Sequence, residues 1–220
     1  MSLIIAIKKE NTFYVGCDTR ITDGASYRDS YYQCPKAFFV DVNKGLIVSW
    51  AGLQAIGDIA ASILRKHDIK SLSKEYIVDF FWPEFYERCN TTTATRNGYI
   101  DGELMLIMND AGYVIDSAGG VVEIRDKASI GSGSQIAYGI MQAISKYKEL
   151  GAEALIINAI EGAASIRNDI SSEVYIANTR NKVFKQKVLV KWWLLKKWVF
   201  QKYIINMWRW DIRRKNIWKT

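Results

Sequence analysis

An α+β protein built as a four-layer αββα sandwich is the fold that three observations predict. Apolar runs of strand length come in two groups, each group is followed by two helical stretches, and one last strand closes the order. The strands are near-continuous apolar runs more than alternations of apolar and polar residues, which suits sheets covered on both faces. Two sheets stacked face to face, with a helical layer outside each, satisfy all three.

Element by element, Leu3 to Ile7 and Thr12 to Cys17 are apolar or β-branched runs joined by Lys8-Lys9-Glu10-Asn11, the pattern of a hairpin with a polar turn. Lys36 to Val42 and Leu46 to Trp50 form a second hairpin around Asn43-Lys44-Gly45. Gly52 to Lys70 carries Ile56, Ile59, Ala60, Ile63 and Leu64 on one helical stripe. Ser73 to Cys89 is a second helix with Ser73 as N-cap and Pro83 as a kink or interruption. Strands are expected at Glu103 to Met108, Gly112 to Asp116, Val121 to Ile124 and Lys127 to Ile130, with turns at Asn109-Asp110-Ala111-Gly112 and Ala118-Gly119-Gly120. Helices over Ser134 to Leu150 and Ala152 to Arg167 and a strand over Glu173 to Ala177 complete the series.

Composition narrows the chemistry. With 220 residues, 49% hydrophobic and 24% charged, the chain can bury a large core without staples. Cys17, Cys34 and Cys89 give neither a disulfide framework nor metal-ligand spacing, and His67 is the single His. A Cys/His nucleophile pair and a zinc site are therefore not expected. His67, in Lys66-His67-Asp68 at a helix end, is expected to cap or to face solvent. The N-terminus lacks the basic segment and apolar run of a signal peptide, so a cytoplasmic location is expected.

Charge divides the chain near Thr179-Arg180. Residues 1–180 hold 18 basic and 22 acidic residues, net −4, whereas residues 181–220 hold 12 basic residues and one acid, net +11. Six of the eight Trp lie in that second part. We therefore expect a domain over 1–180 and an irregular or helical, basic, Trp-rich extension over 181–220. Lys187 to Lys202 contains no uninterrupted 18-residue apolar run, which argues against a transmembrane span. Lys residues with interleaved Trp suit an anionic partner, acidic lipid headgroups or nucleic acid, although Lys191 and Lys196 project to opposite sides of a helix. A subunit-interface arm and a segment foreign to the fold are the other readings of this tail. Neither nucleic acid nor membrane is expected to bind residues 1–180.

The chemistry centres on Ser2. Removal of Met1, which a small second residue permits, would leave a hydroxyl and a free amine on one residue. A Ser hydroxyl needs a base to act as a nucleophile, and an α-amine, with a reference pKa of about 7.7–8.0, is partly unprotonated at neutral pH. A Lys ammonium nearby would lower the pKa of that amine, and an Asp would hold the Lys in place. Asp18, in Gly16-Cys17-Asp18-Thr19-Arg20, and Lys36 supply that pair. No segment precedes Met1 to shield the amine, so its exposure is expected to depend on Met1 removal alone.

The order of motifs resembles the proteasome β-type subunits and the peptidase subunit of the bacterial ATP-dependent HslVU protease, both N-terminal nucleophile (Ntn) hydrolases. The resemblance covers residues 2–178. Ile5-Ala6-Ile7 through Val15-Gly16-Cys17-Asp18-Thr19-Arg20-Ile21-Thr22-Asp23-Gly24 is similar to the family's opening hairpin and its Asp-x-Arg-x-Thr-x-Gly segment. Lys36 before an apolar strand, Ala51-Gly52 before the first helix, and Gly131-Ser132-Gly133-Ser134 followed by Ala137-Tyr138-Gly139 resemble further family motifs in order. The resemblance implies peptide-bond hydrolysis by a threonine-type endopeptidase that here uses Ser2. Asp18 and Lys36 would set the electrostatics, Gly52 would supply an oxyanion-hole amide, and Ser134, with Ser132 beside it, would hydrogen-bond the N-terminal region. Arg20, Ile21 and Leu53 would flank a substrate strand bound by β-augmentation. The partners implied are an unfolded polypeptide substrate, further copies of the chain in a homo-oligomeric double ring of six- or seven-membered rings, and an ATP-dependent unfoldase; no cofactor is implied.

Three departures define an alternative, the first being the dependence on Met1 removal. Ser stands where the family has Thr and lacks the methyl that restricts χ1. In place of the family's Arg-Asp-x-x-Ser stretch, Arg167-Asn168-Asp169-Ile170-Ser171 puts Asn168 in register and Asp169 one residue later, which leaves open which of the two supports the site, Asp169 being the candidate carboxylate. A chain that kept Met1 would have no free amine on Ser2. It would instead be an inactive structural or interaction subunit of such a ring, with the tail mediating assembly or binding the anionic partner.

Overall fold

A computed structural model describes residues 2–23, 26–29, 36–147 and 149–187; Met1, Cys34 and the tail from residue 188 lie outside the described residues. Strands β1 (Leu3–Lys9) and β2 (Thr12–Asp18) form the expected first hairpin, followed by a short pair, β3 (Arg20–Asp23) and β4 (Ser26–Asp29), that no periodicity announced. The second hairpin is β5 (Ala37–Asp41) and β6 (Leu46–Gly52), closed by the Gly45 N–H on the Val42 carbonyl. Helix α1 (Gln54–Lys66) begins two residues later than predicted and has His67 at its C-cap.

The predicted helix over 73–89 is real but not uniform. Ser73 caps it, its Oγ accepting the Tyr76 N–H at 3.2 Å. A short α2 (Lys74–Tyr76) widens into a π-helical turn (Ile77–Phe81) before α3 (Trp82–Asn90), whose second residue is Pro83. Proline has no N–H to give the preceding turn, so the interruption expected at Pro83 is absorbed just upstream as a wider turn. After a short pair β7 (Thr95–Arg96) and β8 (Tyr99–Ile100) come β9 (Gly102–Met108), β10 (Ala111–Ile115), β11 (Val121–Glu123) and β12 (Lys127–Gly131). Helices α4 (Ser134–Tyr147) and α5 (Ala152–Ile166) precede β13 (Val174–Asn178) and β14 (Lys185–Lys187).

These strands make two antiparallel five-stranded sheets, in the orders β12-β1-β2-β13-β14 and β11-β10-β9-β6-β5. β14 carries the first sheet past Thr179-Arg180, where the composition changes, to Lys187. Strand alternation sorts the apolar residues into layers. Ile4, Ala6, Phe13, Val15 and Cys17 of the first sheet meet Ile47, Ala51, Met105 and Ile107 of the second. On the other face of the second sheet, Leu46, Val48, Trp50, Leu104, Leu106 and Met108 meet Ile56, Ile63 and Leu64 of α1 and Phe85 of α3. α4 and α5 cover the outer face of the first sheet against β1, β2 and β12. The result is the predicted αββα order. Burying each such Leu, Ile or Phe side chain is worth about 1.5–3 kcal/mol, which is why both faces of each sheet must be covered. No helix of the described residues is long and apolar enough to cross a membrane.

Candidate active site

The site forms where the rims of the two sheets meet, at the start of β1, the end of β2, the residue before β5 and the end of β6. Ser2 is only 5% exposed. Asp18 ends β2 with no exposed surface, and four groups converge on its carboxylate. Oδ1 accepts the Leu3 N–H at 2.8 Å and the Lys36 ammonium at 2.6 Å. Oδ2 accepts the Arg20 N–H at 3.1 Å and the Ser171 N–H at 3.2 Å. Because Leu3 and Lys36 share one oxygen, the ammonium stands beside the peptide that links Ser2 to Leu3. Lys36 is itself buried, and its carbonyl accepts the Trp50 N–H at 3.1 Å, so its backbone is held next to Ala51-Gly52. The three residues on which the sequence chemistry was built thus come together although Ser2 and Lys36 are 34 positions apart in the chain.

A second carboxylate reaches Ser2 through a hydroxyl. Ser132 Oγ donates to Asp169 Oδ2 at 2.9 Å and lies 3.4 Å from the Ser2 carbonyl oxygen. This corrects the expectation for Ser134. That residue opens α4, and its carbonyl accepts the Ser129 hydroxyl at 2.9 Å, whereas Ser132 sits in the turn before the helix and can face residue 2. The register question at Asn168 and Asp169 also has a geometric answer. Arg167 grips Asp169 with two donors, Nε to Oδ1 at 2.8 Å and an Nη to Oδ2 at 2.9 Å, while the intervening Asn168 presents its carbonyl to Arg20. The Arg167 guanidinium beside Asp169 holds that carboxyl below its ordinary 3.8; burial opposes it, and the Ser132 hydroxyl adds a smaller lowering. A depressed native pKa means stability that is full above the ordinary value and is lost as pH falls through the native one. The stability gap between the parent and D169N, measured by denaturant titration, is therefore expected to be constant above about pH 5 and to close only in the acid range below 3.8.

Gly131 shapes the space between the sheets. It ends β12 opposite Leu3 with φ +94°, and a Cβ there would strike the Ser2 carbonyl oxygen and come within 3.1 Å of the Ala51 Cβ. Only glycine lets Ser2, Ala51 and the turn approach so closely. G131A is expected to lose about 1–3 kcal/mol of stability from overpacking, read as a lower denaturation midpoint, and to displace Ser2. Gly52 lies at the exposed end of β6, and Leu53, 39% exposed, is the N-cap of α1.

The remaining predicted residues divide. Arg20 donates to the carbonyls of Asn168 and Ile170, which ties β3 to the loop bearing Asp169. Ile21 lies in β3, but its side chain is outside the described residues. His67 stands away from this rim, with Nε2 3.2 Å from Glu84 Oε2 and its ring edge-on to Tyr76. Burial pushes the Cys89 thiol up to about 11, so it is no thiolate at neutral pH. Ser171, Arg167 and Glu103, whose Oε2 accepts the Gly131 N–H at 2.9 Å, were not foreseen as part of the site. For Arg167 a signal existed: an Arg two residues before a carboxylate can reach it across a tight loop.

Comparison with known proteins adds to this geometry. Residues 2–178 match the family model described as Proteasome subunit. A comparison with curated proteins returned no match. Among solved structures the chain is similar to Thiobacillus denitrificans BPH, at 17% identity and TM-score 0.69 over 80% of this chain and 96% of that one. The same protein in complex with Epoxomicin gives 17% identity and TM-score 0.68 over 80% and 97%. Eukaryotic HslV from Trypanosoma brucei gives 18% and 0.61 over 80% and 98%.

Proposed function

The chain belongs to the proteasome subunit family, and from that premise we propose that it is an N-terminal-nucleophile endopeptidase in which Ser2 takes the place of threonine. The observation that carries the proposal is the buried Lys36–Asp18 ion pair, whose shared oxygen also holds the Leu3 amide and so sets a positive charge beside Ser2. In this reading Ser2 Oγ attacks the substrate carbonyl carbon and passes its proton to its own α-amine, directly or through one water. The oxyanion that forms is met by the Gly52 N–H. The C–N bond breaks, the leaving amine takes the proton, and water then hydrolyses the ester on Ser2. Lys36 and Asp18 favour the ionised hydroxyl, and the Ser132–Asp169 pair holds the residue-2 carbonyl so that amine and hydroxyl face the substrate together.

The substrate is an extended, unfolded polypeptide laid as an added strand along the rim formed by Arg20, Ile21 and Leu53. We place the site inside a homo-oligomeric double ring in the cytoplasm, fed by an ATP-driven unfoldase. A protein-degrading site that is open to solvent would meet folded proteins indiscriminately, and enclosure restricts it to chains that have been threaded in. The basic Trp-rich extension from 181, whose first residues carry β14 and whose remainder lies outside the described residues, is assigned to binding an anionic partner or a neighbouring subunit.

Intact-mass measurement tests the premise of the chemistry. A purified chain lacking Met1 that cleaves short fluorogenic peptides and unfolded polypeptide supports the proposal. A chain that retains Met1 has no free amine on Ser2, and the protein is then a noncatalytic ring subunit.

A further inference from the structure

Glu103 begins the run of β9 side chains that face the other sheet, two and four residues before Met105 and Ile107. It pairs with Ala51 on β6, one residue from Gly52. Its Oε2 reaches across the layer and accepts the Gly131 N–H at 2.9 Å. Gly131 belongs to the first sheet, where it pairs with Leu3, and a side chain on it would strike the Ser2 carbonyl and crowd Ala51 of the second sheet. Glu103 is thus a hydrogen-bonded strut between the sheet that carries the nucleophile and the sheet that carries the oxyanion amide. Lys36 to Asp18 is another such link on the same rim.

Acyl transfer makes this spacing matter. The nucleophile moves with β1 and the oxyanion donor with β6, and the donor must come to within about 2.7–3.1 Å of an oxygen bonded to the carbon that Ser2 attacks. Apolar packing between the sheets is non-directional and does not set that distance at the rim. A hydrogen bond with a fixed length and direction does. We propose that Glu103 is a positioning residue that sets the distance between Ser2 and the Gly52 amide by holding Gly131. This rests on the reading of Ser2 as a nucleophile. Glu103 does its work as an acceptor of sufficient reach, so it needs length and an oxygen rather than a negative charge.

The test compares E103Q, E103D and E103A with the parent in the full chain. Gln keeps the reach and the acceptor, Asp keeps the charge and loses the reach, and Ala loses both. We expect E103Q to keep kcat within about threefold, and E103D and E103A to lose about 10- to 100-fold in kcat with KM little changed, as for a misplaced catalytic group. Hydrogen exchange at the Gly131 amide should be slow in the parent and E103Q and fast in the other two. The reverse order, with E103D active and E103Q impaired, would show a charge at work and overturn the proposal. So would equal kcat in all four proteins, or a loss of melting temperature with kcat unchanged. A parent with no Ser2-dependent cleavage would instead bring down the peptidase reading and the catalytic purpose of Glu103 with it, whatever the exchange at Gly131. If E103A does not fold, the contrast between E103Q and E103D decides.

Discussion

Replacing Ser2 by Ala is expected to lower peptide turnover by at least about 10⁴-fold while leaving the melting temperature within a few degrees of the parent. The change removes one oxygen from a residue whose structural contacts run through its backbone: the carbonyl meets the Ser132 hydroxyl, and the next amide is held by Asp18. The fold and assembly should therefore persist, and only the bond-forming atom is lost. The measurement is hydrolysis of short fluorogenic peptides and of an unfolded polypeptide, with intact mass recorded for both proteins to show that Met1 is absent from each. Equal turnover in parent and variant would refute the assignment of Ser2. S2T, which restores the methyl that limits χ1, is expected to remain active.

Removing Lys36 should cost both stability and activity. The Asp18 carboxylate has no exposed surface, and Lys36 is the cation beside it. K36M leaves that carboxylate with three backbone N–H donors and without its ammonium, which for a buried pair costs about 3–5 kcal/mol. In a domain of this size that is roughly 6–20 °C in melting temperature. The double variant D18N/K36M removes the stranded charge and is expected to recover part of the loss, although the Asn amide cannot accept every donor that faces Asp18. Turnover should stay about 10²–10³-fold low in both, since the positive charge beside Ser2 is missing from both. Stability that recovers while activity does not is the signature of a pair that serves the chemistry. If activity returned with stability, Lys36 would be a structural residue.

Much of the fold could be read before any coordinates. Apolar runs are local signals, and buried sheets need them on both faces, so the ten strands of the two sheets were nearly all foreseen along with α1, α4 and α5. The exceptions have local causes. β14, Lys185–Lys187, has no apolar pattern because it is a short edge strand held by main-chain pairing to β13. The β3–β4 and β7–β8 ribbons are short for the same kind of reason, since two to four residues cannot display a period. The π-turn before Pro83 is a compromise between a missing N–H and the burial of Phe81 and Phe85, which stack at 5.3 Å.

The sequence by itself determined the layered architecture and singled out Ser2, Asp18 and Lys36 as candidates, because those readings depend on residue type, apolar periodicity and the order of motifs along the chain. Which residues complete the site was decided by tertiary structure. Ser132 rather than Ser134 meets Ser2, because it is the Ser132 hydroxyl, in the turn before α4, that reaches the Ser2 carbonyl. Asp169 rather than Asn168 faces Ser132, because Arg167 and Arg20 grip alternate groups of that loop. Glu103 enters from the opposite sheet, 28 residues from the amide it holds. A one-residue choice within a loop, or a contact between two sheets, depends on the reach and direction of particular side chains in three dimensions. No periodicity along the chain carries that information.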